Sequence, residues 1–398
     1  MRKIVIAGAS VYGLENISDD SMLLSWLSNL KKSVDSLYTT MMVRHLDNYL
    51  ATYPIDNFIR NLDHESKKES VGKRFKGFNL IDNKNNLKLI YENISSADLL
   101  IIGGDPFIEI TLSSYRGLLP FTEMLITIAS FTSTPILLHG IHFGRPPVSK
   151  IGIDKMNFCI DNATYISTRS EYAYDLLQNN CDKEFYNKKA ILHTDDAYGL
   201  KLNKLFNSNK IDDEEISNIL NDIKRKNKKI ILLTLRTLYW VWDNNQREKY
   251  FNVLKKFLKE ILKSEDCFYL FLPHCTYDKD DFWEDDRSGH NKIAESLPSE
   301  SYFIINRRLN VNELSGIFSH IDFSIGNRRH TGIFSALMNK PFMLYGEPNH
   351  VKPIYSDLKI PTDYFIDYDM LNSDILLSIY NKINKFYKNY NFELNILE

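Results

Sequence analysis

The chain has 398 residues, 43% of them hydrophobic and 25% charged, with a formal net charge of −2. That length suits two domains of ordinary size, and the composition is that of a globular protein rather than a disordered or fibrous one. A chain so near neutrality projects no global basic field and its lysines form no block, so nucleic acid is not an expected partner.

The N-terminus MRKIVIAGAS has a basic start, but its apolar run is short and a glycine turn ends it. Lys3–Ala7 therefore reads as a first buried strand and not as a signal peptide. A helix follows with Met22, Leu23, Trp26, Leu27 and Leu30 on its apolar face, capped by Asp19 or Asp20. The intervening GASVYG fits neither G-x-G-x-x-G nor a P-loop, so a nucleotide site and a bare βα turn both stay open there. Residues 44–95 are polar and irregular, a surface excursion. Its Lys67, Lys68, Lys73, Arg74 and Lys76 are either solvated or turned to an anionic acceptor or lipid surface.

Ala97–Ile102 is a second buried strand, and Gly103 and Gly104 at its end let backbone and ligand come close, with Asp105 next. The helix Phe121–Phe131 and the strand Pro135–Leu138 lead to a loop, His139–Pro147. That loop is either a turn with incidental histidines or a second wall of a cleft. In the second case His142 or His139 is available for proton transfer and Arg145 for an anion. Tyr165–Thr168 is a strand, Arg169–Glu171 opens the helix Tyr172–Leu177, and Ile191–His193 precedes Thr194–Asp196. Strands alternating with helices imply an α/β fold with parallel sheets covered on both faces.

The polar stretch Lys201–Glu215 marks a boundary, giving domains at 1–200 and 201–370 and a C-terminal helix and tail at 371–398. The second half reads as the helix Glu214–Lys224, the strand Lys229–Leu235 ending in Arg236, the helix Arg247–Leu262 and the strand Cys267–Leu272. An acidic loop, Asp278–Asp286, the strand Tyr302–Ile305 and the helix Asn312–Phe318 come next. Asp322–Ile325 and Phe342–Tyr345 then form a β-α-β unit about the helix Thr331–Asn339, with Asn327–His330 as its first turn; Ser373–Tyr387 is a last amphipathic helix. Ligands of open α/β sheets sit beyond the carboxyl ends of the strands, where helix N-termini point positive partial charge at them. Arg236, Asn327, Arg328, Arg329 and His330 fall there and make a candidate anion site, since guanidinium forks suit phosphate and carboxylate. The alternatives are solvated surface charges and, for Arg236, a pair with Asp243.

Four cysteines show no metal-like spacing, no metal ligand set stands out, and a reduced cytoplasm is the simpler context. No apolar run approaches the roughly 20 residues of a membrane span, although peripheral contact at a membrane's inner face stays open.

The ordered pieces GASVYGLENISDD, LLIIGGD, STRSE, TDDAYGL, LTLR and GNRRHTGIFSALMNKP resemble the polysaccharide pyruvyl transferases over about Ile4 to Lys352. The resemblance implies two Rossmann-like domains facing each other as in GT-B enzymes, an acceptor side in the first and a donor side in the second. It implies transfer of pyruvate from phosphoenolpyruvate to two hydroxyls of a cell-surface glycan, free or lipid-linked, as a ketal with release of phosphate, and no cofactor beyond that donor. Arg236 and His330 would then be catalytic with His142. Arg328, Arg329, Asn327, Gly103, Gly104, Asp105, His139 and Arg145 would bind substrate. The family usually has a leucine between its arginine and histidine, where this chain has Arg329, so Arg328 is the equivalent arginine and Arg329 an added charge. A GT-B glycosyltransferase using a nucleotide sugar, with Glu347 on the ribose, and a non-catalytic binder of anionic glycans are the competing readings.

Overall fold

In a computed structural model, described at residues 1–8, 16–43, 46, 53–62, 84–108, 118–143, 146–180, 189–202, 211–238, 242–276 and 285–389, the chain divides between Gly199 and Leu200 into two compact units. The first is built on β1 (Arg2–Gly8), α1 (Ile17–Ser33), β2 (Leu37–Val43), β3 (Asn57–Arg60), α2 (Lys84–Ser95), β4 (Leu99–Gly103) and α3 (Leu118–Phe131). It continues through β5 (Ile136–Ile141), α4 (Lys150–Asn162), β6 (Tyr165–Thr168), α5 (Glu171–Asn180), β7 (Ala190–Leu192) and a 3-10 turn at Asp196–Tyr198 that runs into α6 (Gly199–Leu202). The second unit carries α7 (Glu214–Arg225), β8 (Lys229–Thr234), α8 (Asn244–Ser264), β9 (Cys267–Phe271), α9 (Asp286–Ala294), β10 (Tyr302–Ile304) and α10 (Val311–His320). It ends with β11 (Phe323–Gly326), α11 (Arg329–Leu337), β12 (Phe342–Gly346), α12 (Pro348–Asp357), β13 (Ile366–Asp367) and α13 (Ser373–Asn389).

The sheets run β3-β2-β1-β4-β5-β6-β7 and β10-β9-β8-β11-β12-β13, and every pairing is parallel. Strand order therefore reverses between β1 and β4 in the first sheet and between β8 and β11 in the second. Such a switch point opens a crevice beyond the strand ends, because the flanking connections leave in opposite directions.

Alternation of apolar residues explains how each sheet is covered on two faces. Ile4, Ile6 and Ile101 pack with Leu23, Trp26 and Leu27 of α1, while Val5, Ala7, Leu100 and Ile102 pack with Leu125 and Ile126 of α3 and Met156 and Ile160 of α4. In the second unit Ile231, Leu233, Tyr269, Phe271 and Ile325 meet Leu254, Phe257 and Ile261 of α8 together with Leu376, Tyr380 and Ile383 of α13. The segment from 371 is thus no separate tail as far as Asn389, because α13 completes this core. Gly332 is required by packing: a Cβ there would lie 2.7 Å from Leu344 Cδ1, so α11 can settle onto β12 only with a bare backbone.

Several sequence expectations are corrected. Asn16, not Asp19 or Asp20, caps α1, its side chain accepting from the Ser18 N–H, while both aspartates sit in the first turn, where the helix dipole favours them. The stretch 44–95 holds β3 and α2, and β2 precedes it; the five basic residues at 67–76 lie outside the described residues. Asp243 is the N-cap of α8, in a capping box with Gln246, so its carboxylate serves helix α8. Among the described residues no helix is long and apolar enough to cross a membrane.

Candidate active site

The second unit's switch point gathers the basic residues of the β-α-β segment. Leaving β11, the chain makes only Asn327 and Arg328 before α11 begins at Arg329, so the turn is two residues shorter than its sequence suggests. Arg328 is the N-cap residue, and no side chain caps the helix. Arg329 and His330 are the first two helical residues, 2% and 5% exposed. Cations at an N-terminus oppose the macrodipole, by roughly 0.3–1 kcal/mol each. A bound anion would offset that cost.

Asn327 ties this turn to the end of β8. Its Oδ1 accepts the Arg236 N–H at 2.7 Å, and its Nδ2 donates to the hydroxyls of Tyr250 (3.1 Å) and Tyr368 (3.2 Å). With both ends of the amide engaged, its orientation is fixed. Burial pushes both phenols well above their ordinary range, which keeps them neutral; Arg236 and Arg328 oppose that shift at Tyr368. Residue 236 is thereby held against residue 327, and the two strand ends predicted to share a rim do so.

Arg328 forms a two-point pair with Asp286, whose carboxylate is fully buried. Asp286 Oδ2 also accepts the N–H groups of His274 (2.9 Å) and Cys275 (3.1 Å). Burial raises the Asp286 pKa, against the lowering effect of Arg328 and these donors. Beneath the turn Thr234 Oγ1 meets Thr331 Oγ1 at 2.6 Å, and Thr331 meets His274 Nε2 at 3.3 Å. The Leu235 N–H donates to His290 Nε2 at 3.2 Å. Burial holds both imidazoles neutral, His274 well below its ordinary range and His290 at about 3, and the Arg328 charge adds to the effect. Gly326 belongs to this floor, since a Cβ there would lie 2.0 Å from Thr234 Oγ1.

In the first unit, Gly103 is registered opposite both Gly8 and His139, at the other switch point. Gly104 is in the left-handed region at φ 86°, as glycine permits, and its carbonyl accepts the His142 N–H at 3.2 Å. His142 is 1% exposed, with Nδ1 3.5 Å from Ser170 Oγ, while Asp105 is half-buried at the same turn. His139 is not in a loop: it lies within β5, its Nε2 2.9 Å from Asp196 Oδ2. Arg145 lies outside the described residues.

Asp286, Thr194–Asp196 and Ser167 stand in the sequence analysis only as members of their segments, and His274, Tyr250, Tyr368 and His290 have no role in it. The Asp-Asp pair before α9, where Asp285 caps by accepting the Arg287 N–H and Asp286 turns inward, was the one local signal.

A model of the polysaccharide pyruvyl transferase family matches residues 40–348. The chain belongs to the polysaccharide pyruvyl transferase family. No curated protein matches it. Among solved structures it resembles S. aureus MnaA in a UDP co-structure, at TM-score 0.60 and 13% identity, covering 97% of this chain and 90% of that one. It is similar as well to UDP-GlcNAc 2-epimerase from Neisseria meningitidis bound to UDP-GlcNAc, at TM-score 0.60 and 11% identity over 100% and 96% of the two chains. The enzyme from Methanocaldococcus jannaschii in complex with UDP-GlcNAc and UDP gives TM-score 0.59 and 15% identity over 99% and 94%. At such identities the likeness establishes the fold, that of GT-B enzymes.

Proposed function

We propose that this protein transfers the pyruvyl group of phosphoenolpyruvate to two hydroxyls of a saccharide as a ketal, releasing phosphate. The observation that carries the reading is the uncapped N-terminus of α11, where Arg328, Arg329 and His330 stand together next to the Asn327–Arg236 link. Phosphoenolpyruvate carries phosphate and carboxylate a few bonds apart, and fixed guanidinium groups and helix N–H groups match both without a metal. Asp286 neutralises one of the three arginines and aims it; Arg236 and Arg329 complete the clamp.

In this scheme His330 delivers a proton to the methylene carbon, which becomes the methyl group. A first sugar hydroxyl adds to the central carbon of the resulting cation and loses its proton. The second hydroxyl displaces the phosphate by C–O cleavage, and the departing phosphate takes that hydroxyl's proton and leaves as inorganic phosphate. Asp105, half-buried at the Gly103–Gly104 turn, and His142, buried behind Gly104, are the first unit's candidates for receiving the hydroxyl proton.

Incubation with phosphoenolpyruvate and a panel of β-linked hexosides should release phosphate, and Arg236→Ala and His330→Ala should lower that rate by about 100-fold or more with folding intact. A second reading draws on the UDP bound in the neighbouring structures: Glu347, at the N-cap of α12 after β12, would hold a nucleotide ribose. Turnover of UDP- or GDP-sugars in the same panel, with phosphoenolpyruvate inert, would favour it.

A further inference from the structure

The geometry points to a divalent transition-metal site in the first unit, formed by His139, His193 and Asp196. Among the described residues these three side chains are the His/Cys/Asp/Glu group that offers one ligand atom each within 4.8 Å of one another. They come from three places that the fold brings together: the middle of β5, the residue after β7 and the start of the 3-10 turn. His139 Nε2 is 2.9 Å from Asp196 Oδ2. The two imidazoles are stacked, with centroids 5.2 Å apart, and Trp26 packs edge-on to His139 at 5.3 Å. Metal–nitrogen bonds of about 2.0–2.1 Å and metal–oxygen bonds of about 2.0–2.2 Å put tetrahedral ligand atoms roughly 3.3 Å apart, so the shifts needed are small.

Gly140 borders the cluster. It is in the left-handed region at φ 58°, and an ideal Cβ there would lie 3.3 Å from Asp196 Oδ2 and 3.9 Å from His193 Nε2. A side chain at residue 140 would therefore crowd the Asp196 carboxylate.

Counting hydrogens gives a second, independent argument. Four polar contacts link the cluster: His139 Nε2 to Asp196, His139 Nδ1 to Ser167 Oγ (3.2 Å), His193 Nε2 to Ser167 Oγ (3.1 Å) and His193 Nδ1 to the Thr194 carbonyl. Ser167 Oγ also accepts the Gly140 N–H at 2.9 Å. Two neutral imidazoles and one hydroxyl supply a single hydrogen each, so one of the four contacts lacks its hydrogen. A divalent cation between His139 Nε2, His193 Nε2 and Asp196 Oδ2 removes the deficit. Each ring then keeps its Nδ1–H on an acceptor, His139 on Ser167 and His193 on Thr194, which is how ligating histidines are usually oriented.

The neighbouring charges fit this division of labour. Asp195 is occupied elsewhere, accepting the Ala197 N–H at 3.1 Å with its other oxygen 3.6 Å from Arg169, which leaves Asp196 to the cluster. The His139 and Asp196 side chains are 19% and 15% exposed, enough for an ion to enter and for water to take a fourth position. Two imidazoles and one carboxylate suit zinc or iron(II) rather than magnesium or calcium.

Tag-free full-length protein, stripped with chelator and titrated with Co2+, tests the site without any reference to catalysis. The expected result is one Co2+ per chain with the visible absorption of a low-coordinate histidine site, displaced by one equivalent of Zn2+. Asp196→Asn and His193→Gln should abolish the spectrum while keeping the far-UV circular dichroism of the parent. Ser167→Ala, which leaves all three ligands in place, should weaken binding by about 10–100-fold. Failure to bind Co2+ or Zn2+ at one per chain would overturn the site, as would a spectrum unchanged in Asp196→Asn and His193→Gln. Loss of phosphoenolpyruvate turnover with metal binding intact would count against the proposed reaction alone.

Discussion

Asn327 does two things at once, and their separation is testable. Its amide holds the Arg236 backbone and satisfies two buried phenols. Asn327→Ala should cost about 2–4 kcal/mol in urea unfolding, because three polar groups lose a partner. In the proposed reaction it should also raise KM for phosphoenolpyruvate more than it lowers kcat, since Arg236 would remain present but loosely placed. Asp286→Ala removes a fully buried carboxylate that partners the largely covered Arg328 guanidinium and should be more severe, about 3–5 kcal/mol by the same measurement. A loss below about 1 kcal/mol would show that Arg328 finds water or another partner. These contacts were out of reach of the sequence: Arg328 and Asp286 are 42 residues apart, and Asn327 and Arg236 are 91 apart. Sequence reasoning put the right residue types at strand ends but gave no means of pairing them.

At the scale of elements, the segments legible in the sequence were those buried on both faces. Lys229–Thr234 is a continuous apolar run because its two sides meet α-helices, and Tyr165–Thr168 was bounded correctly for the same reason. Elements with mixed chemistry escaped. β2 carries Thr39 and Thr40 at its centre, where Thr39 answers to Asp56; α9 is short and polar; α12 has Pro353 inside it. α9 matters most, because it carries Asp286 and His290 into the floor of the site. That floor should be sensitive to acid. The folded state keeps His290 unprotonated down to about 3, whereas the unfolded chain takes up a proton below about 6.5. The unfolded state therefore binds more protons throughout that interval. Stability should be level above pH 6.5 and fall by at most about 1.4 kcal/mol per pH unit from this group on acidification, with His274 adding to the slope in the same direction. His290→Gln retains an acceptor for the Leu235 N–H and should flatten the profile; a profile identical to that of the parent would refute the assignment.

For the molecule as a whole, two parallel sheets with separate cores follow from the alternation of strand and helix visible along the chain, and each has a switch point at its carboxyl edge. The polar stretch after residue 200 lies where the units divide. The switch points themselves were not visible, because strand order depends on pairing rather than on any one segment. The family is fixed by the match over residues 40–348, whereas the proposed donor would be held by a few side chains of one unit. Isothermal titration with phosphoenolpyruvate, in competition with UDP, tests that donor most directly because it needs no acceptor. The account predicts one site for phosphoenolpyruvate that UDP does not displace and that Arg236→Ala and Arg328→Ala abolish in folded protein. Binding of UDP with no binding of phosphoenolpyruvate would contradict it.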